Sequence, residues 1–191
     1  MKIIAFDRRS DSPFTLPPAV ELIADSAVVT PPHPLFLPDF DTEWEGRICP
    51  AYRIGRLGKT VDARFAPRYI DAYGLVLRLI PAGTDKALRA AGMPVGLDGL
   101  FDSALYTGTW LLTEGADMSA PLAVSCDGID SVINCHFEAA CKAVESVTRY
   151  ATVKTGDIII PSWMPVAVVP RPGVTIEGCI DGTVCLSVRI K

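Results

Sequence analysis

Histidine is nearly absent from this chain, whose 191 residues include only His33 and His136. The six cysteines form no Cys-x-x-Cys pair. A structural zinc site needs four closely grouped cysteine or histidine ligands, so these two scarcities argue against one. His33 lies between prolines in a predicted loop and His136 opens a helical pattern, so we predict neither as a ligand. A phosphate-binding P-loop is also missing, because Gly55 lies too near Gly58-Lys59-Thr60 to begin one.

Positive charge is in deficit as well. Lysine and arginine number 18 against 22 acidic residues, which gives a formal net charge of −4 and a pI near 5.2. This balance argues against nucleic acid as the main partner. One basic stretch, Arg53 to Lys59 followed by Arg64 and Arg68, is interpreted as solvated surface rather than as a phosphate site.

No signal peptide or membrane span is predicted at the start of the chain. The apolar run Met1–Phe6 is short and meets the charged Asp7-Arg8-Arg9 at once, which is typical of a strand. With all thiols expected to be reduced, we predict a cytoplasmic protein that has no membrane partner.

Apolar material is plentiful, with 49% hydrophobic residues and a mean hydropathy of +0.30. Such a composition supports a real core, and the length fits a single domain over residues 1–191. Strand-like runs dominate: 2–6, 20–23, 26–29, 47–54, 73–80, 121–126, 158–160, 165–169, 174–177 and 183–190. The predicted fold class is α+β, mainly β, and a largely β protein of this hydrophobicity is expected to form a homodimer.

Few helices are predicted. Thr84–Ala91 has a capping residue at its start and Gly92 beyond its end, and Phe137–Val147 has apolar residues at helical spacing. A third helix is predicted over Ala63–Ala72. Asp181-Gly182 predicts a tight hairpin between the last two strands.

Two carboxylates at i and i+2, Glu43 and Glu45, flank Trp44. In a strand they would point to the same face, while Trp44 would point to the other. Converging carboxylates repel each other unless a cation lies between them, and Mg²⁺ or Ca²⁺ is the usual one. Spacing alone leaves a solvated strand face as the commoner reading.

Further motifs follow the Glu pair in a recognisable order: Tyr73-Gly-Leu-Val-Leu-Arg78, Gly92-Met-Pro94, Leu100-Phe101-Asp102, Gly108-Thr-Trp110 and Gly156-Asp157-Ile-Ile-Ile160. Together with the Glu pair, this order resembles the fumarylacetoacetate hydrolase (FAH) superfamily over nearly the whole chain. The resemblance implies an FAH-type mixed β-roll with few short helices, typically dimeric, and an active site at the mouth of the roll.

The resemblance also implies a chemistry. Family members hold Mg²⁺ or a similar ion through three carboxylates, two of which correspond here to Glu43 and Glu45. They act on 1,3-dicarbonyl and 2-oxo acid substrates by C–C hydrolysis, decarboxylation or isomerisation, with the ion stabilising an enolate. A lysine, a Gly-Thr-Pro loop and an N-terminal lid helix that carries a His and an acid complete the family pocket.

The sequence departs from this pattern at most catalytic positions. The third ligand Asp falls on Arg78, the arginine that follows it falls on Ala82, and the lysine falls on Gly99, although Phe101 and Asp102 are kept. The remaining replacements affect whole segments: the Gly-Thr-Pro loop becomes Pro161-Ser162-Trp163-Met164-Pro165, the Gly-Arg-Asn-Tyr stretch becomes Asp7–Ser10, and the lid becomes the proline-rich Asp11–Pro18 within a shortened segment 1–33.

Arg78 is the decisive change. Two carboxylates and one guanidinium carry the same total charge as three carboxylates and one divalent ion. We therefore hypothesise that Arg78 takes the place of the ion between Glu43 and Glu45. Alternatively, Arg78 extends to solvent and leaves the Glu pair open for Mg²⁺, with Asp41, Asp98 or Asp102 as third ligand.

Two functions follow. The first is a divergent FAH-type protein without the metal-dependent chemistry, in a small-molecule-binding or structural role, with Arg78, Asp102, Ser162 and Trp163 as candidates to contact a small carboxylate or dicarbonyl ligand. The second is an active Mg²⁺-dependent hydrolase, isomerase or decarboxylase that uses Glu43 and Glu45. Chemistry at Cys135-His136 is a weaker candidate, because neighbours on a helix diverge and no acid partner is evident.

Overall fold

The computed structural model describes residues 1–6, 20–126, 129–134, 136–161 and 167–191. Strands dominate this part of the chain: β1 Ile3–Phe6, β2 Val20–Ile23, β3 Val28–Val29, β4 Trp44–Ile54, β5 Ile70–Pro81, β6 Leu105–Thr107, β7 Leu111–Leu112, β8 Leu122–Cys126, β9 Ile129–Ile133, β10 Ile158–Ile160, β11 Ala167–Val168, β12 Thr175–Ile180 and β13 Thr183–Arg189. The helices are α1 Ala82–Ala90 and α2 His136–Tyr150, with 3-10 turns at Asp25–Ala27, Ala63–Arg68 and Leu97–Gly99.

The strands form two sheets. The larger has the order β2-β1-β10-β4-β5-β6-β3, with β11 added to β4 and β7 added to β5. It is mixed, because β1–β10 and β3–β6 are parallel while the other pairs are antiparallel. The smaller sheet has the order β13-β12-β8-β9 and is antiparallel.

The long antiparallel pair β4–β5 forms the centre of the larger sheet, with Trp44 opposite Pro81 at one end and Ile54 opposite Ile70 at the other. β5 is buried on both faces, and its side chains alternate between two cores. Leu75, Leu77 and Leu79 pack in the core shared with the smaller sheet. Val76 lies in the core on the opposite face, and the same alternation directs Arg78 to that face.

Helix α2 covers one end of the larger sheet. Its apolar face, which includes Val144 and Val147, packs in a core with Tyr52 and Ile159. The Tyr52 hydroxyl lies 2.6 Å from Nδ1 of the buried His136, whose Nε2 lies 3.2 Å from the Ala120 carbonyl oxygen. Burial lowers the pKa of His136, so the neutral ring serves as a structural link between helix and sheet.

Most predicted elements are confirmed, including both main helices and the final hairpin. Asp181 and Gly182 have φ of +49° and +77°, the left-handed conformations that a two-residue turn between β12 and β13 requires. The predicted fold class, mainly β within an α+β architecture, is confirmed as well.

The prediction of a helix over residues 63–72 was wrong. The segment forms a 3-10 turn that ends at Arg68, and Ile70 already begins β5. Asp62 caps this turn by accepting a hydrogen bond from the Arg64 amide. Pro67 inside it removes an amide donor, which discourages extension into an α-helix.

The segments Asp7–Ser10 and Asp11–Pro18, for which the sequence predicts an altered loop and lid, lie outside the described residues. In the described ranges, no helix has the length and apolarity that crossing a bilayer requires. The single-domain organisation and the homodimer stay predictions.

Candidate functional site

The two glutamates do not form a matched pair on one strand. Glu45 lies in β4, but Glu43 precedes the first residue of that strand and is exposed. The backbone of Glu43 is tied to the start of α1, since its carbonyl oxygen accepts a hydrogen bond of 2.8 Å from the Ala82 amide. The expectation that both carboxylates occupy one strand was therefore wrong for Glu43.

Asp41 is committed to capping. One carboxylate oxygen accepts a 2.8 Å hydrogen bond from the Glu43 amide and the other a 2.6 Å bond from the Thr84 amide in the first turn of α1. Burial acts to raise the pKa of Asp41, but these hydrogen bonds outweigh it and lower the pKa. Gly83 permits this approach, because a Cβ there would lie 2.6 Å from Asp41 Oδ1. Asp41 is thus engaged locally rather than free to complete a metal site.

Glu45 has a cationic neighbour. Its Oε1 lies 2.8 Å from Nε of Arg47, two residues along the same strand and on the same face. Both side chains are about one-third exposed, at 32% and 35%, so the pair is solvated and easily parted.

Arg78 is completely buried, with 0% exposure. Its Nη1 lies 2.6 Å from Glu21 Oε2 in β2, and its Nη2 lies 3.7 Å from Asp98 Oδ2 in the 3-10 turn Leu97–Gly99. The hypothesis that Arg78 lies between Glu43 and Glu45 was wrong, because its carboxylate partners are Glu21 and Asp98. The alternative in which Arg78 extends to solvent was wrong, because the guanidinium lies in the core.

Asp98 is in turn hydrogen-bonded to Asp85 of α1. Burial, the hydrogen bond and the negative charge of Asp85 raise the pKa of Asp98 to about 7, against the opposing effect of Arg78. Asp85 Oδ1 and Asp98 Oδ1 are both buried and accept no hydrogen bond from a donor in the described part of the chain. The raised pKa means that Asp98 keeps its proton to a higher pH than an exposed carboxyl group does.

These side chains form an ionic cluster of three carboxylates and two guanidiniums. Arg89 joins it from the last turn of α1, with Nη2 3.5 Å from Asp85 Oδ2. The cluster is electrically neutral when the Asp85–Asp98 pair carries one proton. It links β2, β5, α1 and the Leu97–Gly99 turn, the elements around the position at which the family resemblance puts its third metal ligand.

The residues do not fit a divalent ion at that position. Arg47 and Arg78 are register partners on β4 and β5, so two guanidiniums lie on the face that a cation would occupy. Over the described ranges, no three His, Cys, Asp or Glu side chains form a group that could hold a metal.

The remaining candidates are separate from the cluster. Asp102 is exposed, while its neighbour Phe101 packs edge-on against Trp44 at a ring-centroid distance of 5.5 Å. Ser162 and Trp163 lie outside the described residues, so their contact with a ligand stays a prediction.

Sequence reasoning missed Glu21, Arg47 and Asp85. Asp85 is an acid in the first turn of α1, a common place for one, and Glu21 lies in a short edge strand where nothing local marks it. Aligning the predicted strands β4 and β5 in their antiparallel register would have placed Arg47 opposite Arg78.

The sequence matches no protein-family model and no curated protein. The structure, by contrast, is similar to several solved structures. An FAH family protein from Yersinia pestis CO92 superimposes with a TM-score of 0.82 and 18% identity, over 100% of this chain and 93% of that chain. The fumarylpyruvate hydrolase of Pseudomonas aeruginosa, solved with Mn²⁺ and pyruvate, gives a TM-score of 0.81 and 20% identity, over 100% and 89%.

An isomerase has the same architecture. The 5-carboxymethyl-2-hydroxymuconate delta-isomerase of Mycobacterium smegmatis gives a TM-score of 0.80 at 20% identity, over 99% of this chain and 78% of that chain. Similarity at this level of identity reports on the fold, which hydrolases and isomerases share. The chain therefore has the fold of the fumarylacetoacetate hydrolase family.

Proposed function

We propose that this chain is a divergent FAH-fold protein that lacks the metal-dependent chemistry of the fold and serves as a small-molecule-binding or structural protein. The observation that carries the proposal is the position of Arg78. A buried, ion-paired guanidinium occupies the strand position at which the resemblance requires a metal-ligating carboxylate.

Electrostatics support this proposal from both strands. On β5, Arg78 is ion-paired with Glu21 and Asp98. On β4, Arg47 is ion-paired with Glu45. A divalent ion placed between these strands would face two positive charges in a partly dehydrated environment, where repulsion is weakly screened.

A small carboxylate or dicarbonyl compound is the ligand class that we propose for a binding role. Of the predicted ligand contacts, Arg78 is already ion-paired with acids and Asp102 is exposed. We therefore expect Ser162 and Trp163 to make the main contacts with the ligand. The described cysteines 49, 141, 179 and 185 are free thiols, which supports a reducing compartment such as the cytoplasm.

The second candidate is a Mg²⁺-dependent hydrolase or isomerase that uses Glu43 and Glu45. Two observations favour it: Glu43 is exposed, and the Glu45–Arg47 pair is solvated enough to be opened at small cost. The overall similarity to hydrolases and an isomerase agrees with either candidate.

Calorimetric titration with MnCl₂ separates the two candidates. The P. aeruginosa fumarylpyruvate hydrolase, which has been solved with Mn²⁺, serves as the positive control. We expect heat of specific binding from the control and none from this chain. The same samples are assayed with an acylpyruvate and with oxaloacetate, with and without Mg²⁺.

Metal-dependent turnover that Glu45→Ala abolishes would refute our proposal and establish the second candidate. Binding of pyruvate or an acylpyruvate without turnover, and with no dependence on Mg²⁺, would support the binding role. If neither ligand binds, the structural role is the one supported.

A further inference from the structure

The basic stretch of the sequence becomes part of a larger cationic surface in the fold. We define the basic end as six exposed cations: Arg56, Lys59, Arg64, Arg68, Arg149 and Lys154. Four of them precede β5 in sequence, Arg149 lies in the last turn of α2 and Lys154 follows that helix, so the chain brings them together from positions about 90 residues apart.

Backbone hydrogen bonds fix this assembly. Gly58 and Val153 exchange two backbone bonds of 2.9 Å, which places the segment containing Arg56 and Lys59 beside the one containing Lys154. The ammonium group of Lys59 lies 3.4 Å from the Arg149 carbonyl oxygen. The turn that carries Arg64 and Arg68 packs through Ala66 into the same core as α2.

Acidic side chains neutralise only part of this charge. Asp62 lies 3.5 Å from Arg64, and Glu145 lies 3.1 Å from Arg149. Arg56, Lys59, Arg68 and Lys154 have no ion pair with any described residue, to within the 4.0 Å that defines one. Six cations against two acids leave an excess of positive charge on one end of a chain whose net charge is −4.

Apolar side chains are exposed among these cations. Leu57 is 63% exposed between Arg56 and Lys59, and Tyr150 is 58% exposed beside Arg149. Phe65 is 41% exposed, and the guanidinium carbons of Arg64 and Arg68 lie 4.6 and 5.5 Å from its ring centroid. Arginine and aromatic residues are the types enriched at protein interfaces, where they supply most of the binding energy.

We propose that the basic end is a docking surface for an acidic segment of a partner protein, with Leu57, Phe65 and Tyr150 as its apolar contacts. Charge complementarity selects an acidic partner. The exposed apolar side chains select one that also offers aliphatic or aromatic groups between its carboxylates.

A protein segment fits this surface better than a long polyanion does. Because the whole chain is net negative while this end is positive, the rest of the surface repels any polyanion that extends beyond the basic end. Single-stranded nucleic acid would need several free aromatic faces for stacking, but the Phe65 ring already has two guanidiniums on it, which leaves Tyr150 as the free ring among the three apolar contacts. The exposed Leu57 offers no stacking surface to a base.

Fluorescence anisotropy with the full chain tests this proposal. The probe is a labelled synthetic peptide in which Glu and Asp alternate with Leu and Tyr, compared with labelled oligothymidylate and with vesicles of phosphatidylserine and phosphatidylcholine. We expect the peptide to bind most tightly and its affinity to fall with added salt.

Two matched pairs of variants locate the site. Arg56→Glu/Arg68→Glu should weaken peptide binding by at least about tenfold, whereas Lys86→Glu/Arg171→Glu, which makes the same change in net charge outside the basic end, should not. Leu57→Ser should weaken binding, and Leu112→Ser, at a site of matched exposure (63% and 62%), should not.

The result that overturns the proposal is the absence of peptide binding, or an equal loss in both variants of either pair. Tighter binding of oligothymidylate or of the vesicles than of the peptide would also overturn it, because the partner would then be of another class. All four variants change exposed side chains, so circular dichroism should show an unaltered fold.

Discussion

At the scale of single residues, Arg78 is the side chain on which the structure depends most. Its guanidinium is fully buried and compensates Glu21 and Asp98, which come from separate parts of the chain. Removing one member of a buried ion pair leaves the other charge without compensation, which costs far more than the pair itself contributes.

We therefore predict that Arg78→Met lowers the free energy of unfolding by about 3–5 kcal/mol, measured by urea denaturation. Arg47→Met, in the half-exposed pair with Glu45, should cost no more than about 1 kcal/mol. Combining Arg78→Met with Glu21→Gln and Asp98→Asn should restore part of the loss. A loss for Arg78→Met as small as that for Arg47→Met would contradict the cluster.

The Asp85–Asp98 pair predicts a pH dependence of stability. Because the folded state raises the pKa of Asp98 to about 7, folding favours the protonated form. Its contribution is complete below the ordinary carboxyl pKa and is lost as the pH rises through about 7. Asparagine imitates the protonated acid at every pH.

Asp98→Asn should accordingly raise the free energy of unfolding at pH 8 relative to wild type, by on the order of 2 kcal/mol, and leave it nearly unchanged near pH 4. Urea denaturation from pH 4 to 8 measures this difference, with the exposed Asp102→Asn as the control. Parallel pH profiles for wild type and Asp98→Asn would show that the pKa of Asp98 is not raised.

At the scale of secondary structure, the loop before β4 sets the beginning of α1. Asp41 accepts a hydrogen bond from the Thr84 amide, and the Glu43 carbonyl accepts one from Ala82, so a distant loop caps the helix in place of a residue preceding it. Pro81, at the capping position itself, makes no side-chain hydrogen bond.

Asp41→Ala is predicted to lower the free energy of unfolding by about 1–2 kcal/mol, as expected for the loss of a capping carboxylate. Asp39→Ala, at an exposed position in the same loop, should change it by less than about 0.5 kcal/mol. Thermal denaturation of the two variants side by side is the measurement, and equal values would argue against the cap.

The elements differ in how well the sequence predicts them. Helices α1 and α2 and the Asp181-Gly182 turn have strong local signals, and all three are confirmed. The short strands β6 and β7 follow from pairing with β5 and have little local signal. Their extent is decided by tertiary contacts, which outweigh intrinsic preference in strands of this length.

At the scale of the whole molecule, the order of motifs was enough to predict the fold. The glycines, turns and β4–β5 segments follow one another along the chain in the order that the resemblance to the FAH superfamily requires. The site was predicted less well. The replacement of a carboxylate by Arg78 was visible in the sequence, but its partners were not, since Glu21 and Asp98 approach it only through the sheet order and the packing of the Leu97–Gly99 turn on β2. Ion pairs between residues that are far apart in the chain leave no periodic pattern in the sequence.

The molecule as a whole also separates its charges. The basic end and the buried cluster are built on different elements: the first on the Ala63–Arg68 turn and α2, the second on β2, β5 and α1. A partner bound at the basic end would thus leave the Arg78 cluster untouched, and variants of the two regions should have additive effects on stability.

The buried Arg78 has one more consequence. An ion held by carboxylates is exchangeable, so a protein that depends on it is sensitive to chelators and to the supply of that ion in the cell. A guanidinium is covalently attached and keeps its charge at every physiological pH. If Arg78 takes the place of the ion, as we propose, this charge is synthesised with the chain, and we expect folding of the chain to be insensitive to chelators.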